Sequence, residues 1–309
     1  MARRTTPARL GVTALEAREN PSGNVTALFL GGQLSVYGDD ASNSIAVTQS
    51  PSALTIQGLN GTRVNGQAAV SYAFPAVNQA EFKMEGGNDS VSISGLRTAL
   101  GDVTVETMLG DDAVSLTGVS AGGSVSVNME GGADRFQAGN LSAGADLSIE
   151  MGDGASAIDL TNVSSAGTTA ISTGMDDDTI MANGLRAGAD FDLSTEKGDD
   201  AITLSGVSVT GGASISTDLG ADRVTLTDWT TGSDLSVETG DGDDAVALTR
   251  LTAGVNLSVS TDAGDDSVTV TGVRANGDAI FVGGAGFDRF SNNGLSAGLF
   301  LDIKEFETV

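Results

Sequence analysis

One Asp recurs along this chain at a fixed interval. It stands at Asp89, Asp112, Asp134, Asp178, Asp200, Asp222, Asp244, Asp266 and Asp288. After a first step of 23 residues, every position falls on a 22-residue grid, with Ser156 in the single gap. Apolar columns run in phase. Two residues after the Asp the column passes from Val91, Val114 and Phe136 to Val268 and Phe290. Seven residues after it the column passes from Leu96 and Val119 through Trp229 to Leu295. A third column runs from Val105 and Val127 to Phe281 and Ile303. A period of this length, held over ten copies, marks a repeat architecture in which each unit buries its apolar face only against its neighbours.

Within a repeat the local period is 2, as in "DLSVET" and "DSVTVTG", so the segments are strands with one apolar face and one Ser/Thr/Glu face. Stacked copies make an all-β parallel β-helix, a β-solenoid of about ten 22-residue coils with like residues roughly 4.8 Å apart and a length on the order of 50 Å. A coil of this size resembles those of right-handed parallel β-helices, and the handedness comes from that resemblance alone. Before the second apolar column stand Gly95, Gly118, Asn140, Asn162, Gly184, Gly206, Asp228, Gly272 and Gly294. These residue types tolerate a left-handed bend, and only Arg250 departs from the rule. All four Pro lie at or before Pro75, where none interrupts a central ladder.

Three regions follow. Residues 1–23 form a basic leader, expected to be disordered or a targeting segment. Its Leu15, Glu16, Arg18 and Pro21 resemble the short leader of large secreted or surface repeat proteins of bacteria, which implies export. Residues 24–85 alternate less regularly and are expected to form two or three imperfect coils that cap the stack. Residues 86–309 carry the regular repeat, and Lys304, Glu305 and Glu307 would discourage end-to-end pairing of the last strand.

Composition narrows the chemistry. Cys and His are both absent, so there is no thiolate site or His base, and any metal must be a hard cation held by oxygen. The net charge of −26 argues against nucleic acid, whose phosphates demand Lys and Arg, and against anionic membrane surfaces. No apolar run reaches the length of a membrane span.

The stretch "GGAGFDRFS", Gly283 to Ser291, fits the calcium-loop nonapeptide G-G-x-G-x-D-x-apolar-x. No second copy follows it directly, and its partner one coil below is "AGDDSVT", Ala263 to Thr269. Here the chain resembles the hemolysin-type calcium-binding (RTX) repeat family, in which loop carbonyls and Asp carboxylates from two stacked turns enclose each Ca²⁺. The resemblance implies a site with Gly283, Gly284, Gly286 and Asp288 on one side and Gly264 with Asp266 on the other. It extends to the whole Asp column, with Asp111, Asp177, Asp199, Asp243 and Asp265 adding ligands or charge. Family members repeat every nine residues, whereas this chain offers one loop per coil, and most loops keep only G-x-D-x-apolar.

Electrostatics points the same way. Carboxylates about 5 Å apart repel by roughly 0.8 kcal/mol in water and about 3 kcal/mol at an effective dielectric of 20, which a divalent ion between them would reverse. The competing reading is turn chemistry, since Asp side chains bond nearby backbone amides. A second set, Asp102, Asp146, Asp190, Asp234 and Asp278, recurs every 44 residues. On alternate coils about 10 Å apart, these read as strand-entry or turn residues.

Functionally, these features point to a non-catalytic solenoid, structural or adhesive, outside a bacterial cell or on its surface. Calcium ions would stabilise it, and surface or matrix polysaccharide or protein would be its partner. The alternative is a β-helix that binds or cleaves polysaccharide. That needs a walled cleft with a base or paired carboxylates, and no insertion interrupts the register from residue 112 onward. A minor alternative is ice or mineral binding through outward pairs such as Thr203/Ser205, Thr225/Thr227 and Thr269/Thr271.

Overall fold

The computed structural model describes residues 23–73 and 76–307, and every regular element among them is a β-strand. The leader motif around Leu15 to Pro21 lies outside the described residues. From residue 90 onward the chain winds as a parallel β-solenoid, each coil built to one plan. A five-residue strand follows the Asp (Ala113–Thr117, Arg135–Gly139, Ala157–Thr161). A left-handed residue turns the corner into a two-residue strand (Ser120–Ala121, Ser142–Ala143). A four-residue strand (Val125–Asn128, Leu147–Glu150) then leads to the next turn.

The register is the one the grid dictates. Val114 pairs with Phe136 and Phe136 with Ile158, while Val127 pairs with Ile149 and Ile149 with Ile171. Each apolar column therefore stacks on itself, and all three are buried until the last coil. Size varies along a column, and neighbours compensate. Phe191 is followed by Ala213 one coil on, and the Trp229 ring meets Phe191 edge-on at 5.4 Å.

The corner column is left-handed at every position, from Gly95 (φ 68°) to Gly294 (φ 90°). Arg250 breaks the residue rule but keeps the backbone rule, at φ 51°. Its guanidinium donates to both carboxylate oxygens of Asp228, one coil below, at 2.6 and 2.7 Å. Strands Arg223–Thr231 and Ala245–Ala253 run unbroken through this corner.

The two ends differ. At the N-terminal end, β1 (Asn24–Leu30), β2 (Gln33–Tyr37), β3 (Ser44–Gln49), β4 (Ala53–Gly58), β5 (Arg63–Val64) and β6 (Ala69–Ala73) precede the first regular strands, β7 (Gln79–Lys83) and β8 (Ser90–Ser94). Of the imperfect coils expected there, one is present: β2 lies parallel to β7 and β3 parallel to β8. The strands joined by short turns fold back antiparallel, with β1 on β2, β4 on β3 and β6 on β4, while the two-residue β5 lies parallel to β1. At the other end, Phe306 packs on Phe290 at 5.2 Å, while Leu299 and Phe300 stay 82% and 56% exposed.

Candidate functional site: an internal carboxyl ladder

The Asp column stacks as the spacing requires, but it faces inward. None of the nine Asp is more than 2% exposed. Each carboxyl reaches back one coil and accepts, through Oδ1, the backbone N–H of its predecessor. Asp112 accepts from Asp89 at 2.7 Å, Asp134 from Asp112 at 2.8 Å and Asp200 from Asp178 at 2.8 Å. Asp222, Asp244, Asp266 and Asp288 continue the chain at 2.8, 2.8, 2.8 and 2.9 Å. Asp178 accepts from Ser156 at 2.7 Å, whereas Ser156, one atom shorter, accepts from Asp134 at 3.3 Å.

Sequence reasoning missed both ends of this ladder. Asn43 is its first member, buried, with its amide donating to Asp89 Oδ1 at 2.6 Å. Its offset of 46 from Asp89 is twice the 23-residue first step, and that was the available signal. At the far end the Asp288 amide donates to the Glu307 carboxylate, so Glu307 terminates the ladder. No periodicity points to it, because the chain has left the grid by then.

The acids one position earlier do the opposite. They are exposed and cap the coil above. Asp111 accepts the Ala133 amide at 3.1 Å, Asp177 that of Asp199 at 2.9 Å and Asp199 that of Ala221 at 2.8 Å. Asp243 accepts from Asp265 at 2.9 Å, and Asp265 from Phe287 at 3.0 Å. The 44-residue set is likewise a turn device. Asp102, Asp146, Asp190 and Asp234 accept the amides of Ser124, Thr168, Gly212 and Asn256 at 2.8 to 2.9 Å.

The glycines of the calcium-like loop have a steric cause. At Gly242, φ is +153°, and a Cβ there would lie 1.7 Å from the Gly220 carbonyl oxygen below. Gly264 and Gly286 repeat this contact at 1.9 and 1.7 Å, and Gly284 would meet Asp262 O at 1.6 Å. Gly283 stands where most coils carry a buried Thr, and its carbonyl accepts the Thr261 hydroxyl at 2.9 Å.

That Thr column is the second feature the sequence reading passed over. Thr107, Thr173, Thr195, Thr217, Thr239 and Thr261 are buried five residues before the Asp. Met129 and Met151 interrupt the column, and the latter interruption coincides with the missing Asp at Ser156.

Burial dominates the electrostatics. Desolvation pushes the carboxyls of Asp89, Asp134 and Asp244 up to about 7, and those of Asp178 and Asp222 to about 6. Asp112, Asp200 and Asp266 move the same way for the same reason. The accepted amide opposes the shift, and neighbouring carboxylates add to it. In all nine residues Oδ2 is buried without a hydrogen-bond partner.

These atoms bear on the calcium implied by the resemblance. Ca²⁺ takes about six to eight oxygens at roughly 2.3–2.6 Å. Here Oδ1 is committed to an amide, Oδ2 points among Thr hydroxyls and apolar side chains, and the outer Asp reaches toward the coil above. Among the described residues no three acidic side chains converge on one point. Asp288 does stack over Asp266 and Gly286 over Gly264, but this pairing forms a hydrogen-bonded turn, and its donor set as folded does not fit a calcium cage.

Fold and site together define a parallel β-solenoid with an internal Asp ladder. No family model, curated protein or solved structure matches the chain.

Proposed function

We propose that this chain is a non-catalytic solenoid with a structural or adhesive role, working outside a bacterial cell or on its surface. The observation that carries this reading is the unbroken stacking of like on like. From Ala113 to Lys304 every coil keeps the register, so the outward side chains form long, even faces. The depressions described on these faces are shallow. One, of about 250 Å³, lies between Asp190 and Asp234, where Gly212 has no side chain; Asp190 and Asp234 are already engaged as turn caps, which leaves Asp192 as its third acid. A rod whose sequence is devoted to stacking suits spacing or display, with surface or matrix polysaccharide or protein as the partner.

The test is incubation with acidic polysaccharides, following both retention on the immobilised polymer and release of cleaved ends. Retention without cleavage, or neither, agrees with the proposal. Turnover would replace it with the enzyme reading.

One observation favours a second reading, adhesion to an ordered surface such as ice or mineral. Ser205, Thr227, Thr249 and Thr271 form a continuous in-register row, although Ala247 interrupts the parallel row of Thr203, Thr225 and Thr269. Adsorption to hydroxyapatite that is lost in a Thr227→Lys/Thr249→Lys variant would support it.

A further inference from the structure

We infer that the ladder carboxyls from Asp89 to Asp266 are held as neutral acids, each keeping a proton on Oδ2, so that the rod is most stable in mild acid. A proton, rather than a metal ion, relieves the repulsion along the column.

The geometry carries this. Every Oδ1 already accepts an amide, and every Oδ2 is buried without a partner. A bare carboxylate oxygen in that position carries a heavy desolvation cost. At two coils the Thr column shows what a proton on Oδ2 would meet. The Thr217 and Thr261 hydroxyls donate their own protons one coil onward, to the carbonyls of Thr239 (3.1 Å) and Gly283 (2.9 Å). Their oxygens can then only accept, and each lies against a ladder carboxyl, that of Asp222 or Asp266. A proton on Oδ2 satisfies both atoms.

The charges that face the column are carboxylates. Besides the ladder neighbours they are Asp39 at Asp89, and Asp111 at Asp112 and Asp134. Higher up they are Asp176 at Asp178, Asp177 and Asp199 at Asp200, Asp199 at Asp222 and Asp243 at Asp266. Among the described residues none of the charges acting on the ladder is a cation, so no side chain offsets it. Neighbouring sites interact, and the column titrates as a set.

The direction with pH follows. An ordinary Asp titrates near about 3.9; burial raises Asp178 and Asp222 to about 6 and Asp89, Asp134 and Asp244 to about 7, and moves Asp112, Asp200 and Asp266 the same way. The stabilisation is then complete below about pH 4 and is lost as pH rises through about 6 to 7.

The experiment is thermal melting of the full chain, with chelator present, from about pH 4.5 to about pH 8. The melting temperature should fall by roughly 10 °C or more across that range. Asp222→Asn with Asp244→Asn keeps the Oδ1 acceptor and puts a non-titrating N–H where the proton sits. This variant should melt higher than the parent at the alkaline end and show a flatter pH profile. Should it fail to fold, infrared spectra of the parent decide, by a protonated-carboxyl band that persists near pH 6 and disappears on further alkalinisation. A melting temperature that is flat or rises with pH, or absence of that band, would overturn the inference. So would recovery of the alkaline melting temperature on adding Ca²⁺, which would make the column metal-filled.

Discussion

Two Asp columns run side by side along this rod, one residue apart, and they behave as opposites. Asp244 is buried and reaches one coil back to the Asp222 amide. Asp243, its neighbour, is exposed and reaches one coil forward to the Asp265 amide. The turn that leads into Ala245–Ala253 points its adjacent side chains to opposite sides, so the same residue type meets water in one column and the core in the other. Both cap the turn, but only the inner column carries the cost of desolvation, which pushes the Asp244 carboxyl up to about 7. One bonding pattern can therefore be nearly free on the surface and tightly constrained inside.

The largest effect is expected at the glycine between the coils. Gly242→Ala would place a Cβ 1.7 Å from a backbone oxygen that cannot move away, at a φ that L residues rarely adopt. The expected loss is about 3 kcal/mol or more, read by denaturant unfolding. Next comes the inner column. Asp244→Ala leaves the Asp222 amide buried without an acceptor, which costs roughly 1–3 kcal/mol.

Repairing the ladder's gap sharpens the contrast. Ser156→Asp with Met151→Thr recreates the pair of the next coil, Thr173 with Asp178, and shortens the 3.3 Å contact to the Asp134 amide. It should add about 1 kcal/mol in mild acid and less at alkaline pH, as paired melts at the two conditions would show. The smallest effect belongs to the outer column. Asp243→Ala exposes the Asp265 amide to water, which replaces the lost acceptor, so the change should stay near about 0.5 kcal/mol. An outer substitution as costly as the inner one would erase the distinction.

Calcium belongs to the same comparison. The resemblance to hemolysin-type repeats rests on "GGAGFDRFS" and the recurring Gly-x-Asp, yet each glycine there has a steric cause and each inner Asp an amide to cap. Turn chemistry, the competing account of the column, explains these contacts directly. The purely exchangeable version of that account falls short, because the inner column tolerates only Ser156 among its regular members. Burial supplies the stricter demand, since an acceptor of the right reach must point into the core.

The ends of the rod show where sequence reasoning loses its grip. Cap residues 24–73 alternate locally but lack the 22-residue period, so spacing did not indicate that β4 and β6 would fold back antiparallel instead of adding coils. Asn43 and Glu307 complete the ladder from outside the 22-residue grid, and they became visible only once the chain was folded around them.

By itself, the sequence determined which residues stack. A 22-residue period with local alternation admits one economical arrangement, in which Val114, Phe136 and Ile158 lie over one another and the corners take Gly, Asn or Asp. Only the tertiary structure decided which way each Asp turns, which oxygen it uses and which amide it meets. Spacing along a chain fixes the position of a Cα, whereas hydrogen-bond direction and burial depend on side-chain rotation against neighbours supplied by other coils.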